Sequence, residues 1–108
     1  MINSLTNEQN SAIINEASRF EKLTRLVVFG SRAMGNHKHG SDIDLAVWGL
    51  EPGEVRELSI RLNEYLSLPH KFDVVRFESV NDPELKQHII EFGKLVYPLE
   101  NFATAPFS

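Results

Sequence analysis

The sequence predicts an α+β fold: a small mixed β-sheet packed by helices, in the order helix, strand, short helix, strand, helix, strand, helix. Three observations carry this expectation. Runs rich in β-branched and aromatic residues recur at 23–29, 42–48 and 71–77, a composition that suits a pleated, half-buried strand. Apolar stripes at helical spacing lie between and around these runs. Finally, the segment between the second and third runs is long enough for a full helix, which favours a parallel pair with a right-handed crossover.

Taken in order, Thr6 followed by Gln9 resembles a capping box. Ile13, Ala17 and Phe20 then mark an apolar face, so a first helix is expected over about 7–20. The first strand, 23–29, stops at Gly30, and a short helix is expected over 31–34, ended by Gly35. Asn36 to Ser41 is a polar loop ahead of the second strand, 42–48. Glu51-Pro52-Gly53 opens the next helix, about 53–67, whose face carries Val55, Leu58, Leu62, Tyr65 and Leu66 and which Pro69 breaks. After the third strand, Asn81 or Asp82 caps a last helix with Pro83 at its first position and Gly93 at its end. Val96-Tyr97 adds a short edge strand, and residues 100–108 read as a loose tail.

A length of 108 residues suits one domain, spanning 1–108, rather than two. The apolar fraction of 42% and charged fraction of 24% are those of a globular protein. A net charge of -4 disfavours direct nucleic-acid binding by broad phosphate neutralisation. The lack of cysteine excludes disulfides, thiolate zinc sites and cysteine nucleophiles. Residues 1–10 do not read as a secretory signal, and no apolar stretch approaches a membrane span, so a cytoplasmic protein is expected.

Chemistry concentrates where it is least expected. Asp42 and Asp44 sit in an apolar strand, although aspartate is depleted there. Alternation puts residues i and i+2 on one face, with Cα atoms roughly 6.5–7 Å apart, while Ile43 and Leu45 face a core. Two like charges so close repel unless a cation compensates. Magnesium suits that role, because it takes oxygen ligands, commonly one or two carboxylates plus substrate phosphates. Asp73, in the apolar run Phe72-Asp73-Val74-Val75, joins them if the third strand neighbours the second. Three such carboxylates can hold two metal ions about 3.5–4 Å apart, the arrangement for phosphoryl or nucleotidyl transfer.

Gly30-Ser31 follows a strand and precedes a helix start, a place where backbone N–H groups favour phosphate. A Walker A loop is disfavoured, because Asn36-His37 stands where Lys-Ser/Thr is required. The remaining histidines point elsewhere. His37 and His39, with Lys38, read as a solvated loop that could line a triphosphate channel, and His70 and His88 as turn and helix-surface residues. Trp48 reads as core or interface packing, and Glu54, Arg56, Glu57, Arg61 and Glu64 as a solvated helix face.

Gly30-Ser31, then ten residues, then Asp42-Ile43-Asp44, with Asp73 on a later strand, resembles the signature of the minimal nucleotidyltransferases (MNT) of the polymerase-β-like nucleotidyltransferase superfamily. The resemblance covers most of the chain and implies that fold. It implies that Gly30, Ser31 and Arg32 hold the phosphates of a nucleoside triphosphate, that Asp42, Asp44 and Asp73 bind magnesium, two ions in all, and that Asp73 helps to activate the attacking hydroxyl. Met34 departs from the pattern, where a second arginine is frequent. MNT proteins typically pair with a HEPN-family helical protein in toxin–antitoxin-like systems. The implied function is therefore transfer of AMP from ATP to a tyrosine of that partner toxin, with the chain acting as antitoxin. Two alternatives stand beside it: an antitoxin that neutralises by binding alone, and nucleotidylation of a small molecule such as an aminoglycoside.

Overall fold

A computed structural model describes residues 7–30, 42–66 and 71–98. Four strands form one sheet: β1 (Arg25–Phe29), β2 (Ile43–Trp48), β3 (Phe72–Arg76) and β4 (Lys94–Tyr97), in the spatial order β3-β2-β1-β4. β1 runs antiparallel to both β2 and β4, whereas β2 and β3 are parallel, so the sheet is mixed as expected. Three helices pack on it: α1 (Asn7–Ala17), α2 (Pro52–Ile60) and α3 (Pro83–Phe92).

The sheet is covered on both faces. On one, Ile13 and Ala17 of α1 and Leu58 of α2 join Leu26, Val28, Ile43, Leu45, Val47, Phe72 and Val96 in the larger core. On the other, Ile89 of α3 closes over Val27, Phe29 and Ala46, with Trp48, Val75, Phe77 and Leu85 around them. Burial on both sides explains why β1 reads as the unbroken run Leu-Val-Val-Phe rather than an alternation.

Several boundaries differ from expectation. α1 ends at Ala17, not 20, because Phe20 N–H turns back to the Ala17 carbonyl (3.1 Å). Phe20 and Leu23 are buried all the same, from the turn that leads to β1. α2 does not run unbroken to 67: after Ile60 it widens into a π-helical turn, Arg61–Tyr65, and Leu66 is already extended. The cause is Asn63, whose side chain reaches out of the helix to the backbone of Phe72. Its Oδ1 accepts from Phe72 N–H (2.8 Å) and its Nδ2 donates to the Phe72 carbonyl (3.0 Å) and to the Ser59 carbonyl (2.9 Å). β3 is an edge strand, so one amide edge would go without a strand partner, and Asn63 supplies one at its first residue.

α3 starts as the sequence anticipates. Asp82 Oδ1 accepts from Glu84 N–H (3.0 Å), Pro83 follows, and Gly93 closes the helix by donating to the Ile89 carbonyl (2.9 Å). The expected short helix at 31–34, the loop 36–41 and the tail 100–108 lie outside the described residues. Among the described residues no helix is long and apolar enough to cross a membrane.

Candidate active site

The site is set by strand register. Asp44 in β2 pairs across to Phe29 in β1 and directly to Asp73 in β3. In a parallel pair, aligned residues point to the same face. Ile43 and Leu45 are fully buried in the larger core, so Asp44 and Asp73 look the other way, onto the face that α3 covers. Asp42 precedes β2 by one residue and is exposed, as is Asp73, while Asp44 is half-buried between them. Asp44 and Asp73 therefore lie side by side on one face of two adjacent strands, and Asp42 is near enough for its charge to act on Asp44.

Their mutual charge is felt at Asp44. Burial first, then the Asp73 and Asp42 carboxylates, push its acid above the usual carboxylate range, and His88 acts in the opposite sense. Among the described residues no three acidic or histidine side chains are drawn together closely enough to hold a metal ion as they stand.

Gly30 abuts the same carboxylate. It ends β1 with φ +76°, a left-handed conformation that side-chain-bearing residues rarely adopt, and a Cβ at this position would lie 2.6 Å from Asp44 Oδ2. Glycine is thus needed twice, for the bend and for the approach to Asp44. Ser31 and Arg32 lie outside the described residues, as do Met34, His37, Lys38, His39 and His70.

The reading of His88 as a helix-surface residue is corrected. It is half-buried, and its Nε2 accepts a hydrogen bond from Gly30 N–H (3.2 Å) across 58 residues of sequence. Its ring meets Phe29 edge-on (6.2 Å between centroids) and lies tilted against Phe92 (5.4 Å). The signal was present in the spacing: position 88 is three after Leu85, which packs on the sheet, and beside the buried Ile89. Trp48 is a packing residue as expected, stacked on Phe77 (4.4 Å) with Arg25 over its ring (5.3 Å).

Comparison with known proteins assigns this mixed sheet, with its paired strand carboxylates beside a glycine bend, to a nucleotidyltransferase fold. The chain belongs to the family described as polymerase beta, nucleotidyltransferase, whose model matches residues 11–101. Among solved structures it is similar to a chain of a toxin–antitoxin complex with AMP-PNP, at 24% identity and a TM-score of 0.67, covering 93% of this chain and 79% of that one. It is similar also to a chain from the complex of tri-AMPylated Shewanella oneidensis HEPN toxin with MNT antitoxin (23% identity, TM-score 0.66, 93% and 78% covered). A third is a candidate minimal nucleotidyltransferase (24% identity, TM-score 0.64, 81% and 88% covered). At these identities the likeness is one of fold. A search of curated proteins returned no match.

Proposed function

We propose that this nucleotidyltransferase-family protein is magnesium-dependent and transfers AMP from ATP to a hydroxyl acceptor, a tyrosine of a HEPN-family partner toxin, and so acts as a cytoplasmic antitoxin. The observation that carries the site assignment is the register of Asp44 against Asp73, with Asp42 two residues earlier and Gly30 against Asp44. The adenylyl donor and the partner are suggested by the AMP-PNP and AMPylated-toxin complexes among the structural relatives.

The residues present fit magnesium. They offer hard carboxylate oxygens; burial first, then the neighbouring Asp73 and Asp42 charges, raises the Asp44 acid, and the like-charge part of this is what a divalent cation relieves. A closed protein cage is not required, since magnesium commonly completes its shell with water and substrate phosphates. Asp42, Asp44 and Asp73 would hold two such ions, which when bound neutralise triphosphate charge.

The chain's own groups then have distinct tasks. Gly30 at the end of β1, with Ser31 and Arg32, orients the terminal phosphates. Asp73 stands exposed on an edge strand, where a bulky acceptor can approach, and takes the hydroxyl proton at its carboxylate. The acceptor oxygen forms the new bond to the α-phosphorus, the bond to the β-phosphate oxygen breaks, and pyrophosphate leaves. No covalent enzyme intermediate is needed.

The test combines the protein with magnesium, ATP and the product of the adjacent gene. Intact-mass measurement should show AMP added to the partner, and the double substitution Asp42→Ala with Asp44→Ala should abolish it. Equal silencing of the partner by the double variant would replace catalysis with occlusion.

A further inference from the structure

His88 is the one imidazole among the described residues, and it is committed to a specific bond. Its Nε2 lies 3.2 Å from Gly30 N and accepts that proton. A ring nitrogen that accepts carries no hydrogen, so the proton of the neutral ring sits on Nδ1. The ring cannot turn freely, being flanked by Phe29 and Phe92.

Gly30 lies one residue beyond the last β1–β2 pair, Phe29 with Asp44, so the ladder ends on the Phe29 side of the Phe29–Gly30 peptide and does not hold the Gly30 N–H. Two contacts act on the Gly30 side. The Asp44 carboxylate closes off one side, leaving no room for a Cβ, and His88 takes the N–H from the other. We infer that His88 is a positioning residue: through Nε2 it fixes the Phe29–Gly30 peptide, and so sets the bend that carries the phosphates at its distance from Asp44. Gly30 N–H is thereby spent on His88, and the glycine contributes direction to the turn rather than this donor to phosphate. The inference rests on the nucleotidyltransferase reading and assigns to α3 a part in it.

Two substitutions separate positioning from packing. His88→Phe keeps an aromatic ring between Phe29 and Phe92 and deletes the acceptor. His88→Gln places a side-chain oxygen where Nε2 stood. Calorimetric titration with magnesium and AMP-PNP should show affinity falling about tenfold in His88→Phe, the net worth of one hydrogen bond. His88→Gln should recover to within about threefold of the parent. In turnover the loss in His88→Phe should appear in KM for ATP rather than in kcat. Equal nucleotide affinity of the parent and a folded His88→Phe, or equal loss in both variants, overturns the inference. Nitrogen-15 spectra of the parent give a reading that needs no variant: a ring protonated on Nδ1, with Nε2 bare, is expected, and the opposite tautomer refutes the bond. A parent protein that binds no nucleotide defeats the nucleotidyltransferase reading and the functional role of His88 together, while the tautomer still decides the bond itself.

Discussion

Replacing Asn63 with alanine should loosen the start of β3, the strand that carries Asp73. The substitution removes the acceptor of Phe72 N–H (2.8 Å) and the donor to the Phe72 carbonyl (3.0 Å) at a residue only 1% exposed. Each such bond contributes roughly 0.5–1.5 kcal/mol net, and the groups left behind lose more where water cannot reach them. The sum is about 2–3 kcal/mol. For a domain of this size each kcal/mol moves the melting temperature by about 4–8 °C, so a fall of roughly 10–20 °C is expected. Circular dichroism melts and urea titrations measure it. Asn63→Asp discriminates the mechanism: it keeps the acceptor for Phe72 N–H but sets a carboxylate oxygen against the Phe72 carbonyl, so it should be as unstable at neutral pH and recover on acidification as the new acid gains a proton to donate. A loss under about 0.5 kcal/mol in Asn63→Ala, the range of ordinary surface changes, would mean that the Asn63 amide does not hold β3.

Gly30→Ala should cost about 1–2 kcal/mol for its left-handed backbone, and it should weaken magnesium–nucleotide binding further, because the new Cβ displaces Asp44 Oδ2 from 2.6 Å. Melts and calorimetry read the two effects separately, and an unchanged melting temperature would contradict the bend. Asp44→Asn tests the burial and crowding of charge at this position. The folded protein holds the Asp44 proton more tightly than the unfolded chain does, so Asp44 favours folding at acid pH and loses that contribution as pH rises through its raised value. Without magnesium the asparagine variant should therefore be the more stable at pH 7, by the few tenths to about 1 kcal/mol typical of partly exposed charges, and the gap should close on acidification. A variant that is less stable at pH 7 would argue that the Asp44 charge is already compensated within the chain.

What could be read from the sequence was local. Period-two alternation put Asp42 and Asp44 opposite Ile43 and Leu45, and Asp82-Pro83 announced the start of α3. The helix between the second and third strands implied their parallel pairing, which is what aligns Asp73 with Asp44. What escaped reading depends on partners distant in sequence or on backbone geometry. Asn63 looks like an ordinary polar residue on a helix, and only the edge position of β3 gives its amide a task. His88 faces inward at a spacing that Leu85 and Ile89 permit, but nothing local names Gly30 as its partner. The end of α1 at Ala17 shows a third case: Phe20 keeps the stripe's period and its burial, yet reaches the core from a turn, so periodicity located the core residue without the helix boundary.

Asp42, Asp44 and Asp73 are proposed to act as one divalent-cation and nucleotide site. Calorimetric titration of AMP-PNP, with and without magnesium, against the parent and against Asp42→Asn, Asp44→Asn and Asp73→Asn in turn, tests it most directly. Binding that requires magnesium and falls at least about tenfold in each variant is the predicted result. Undiminished binding by Asp73→Asn, or binding indifferent to magnesium, would contradict it.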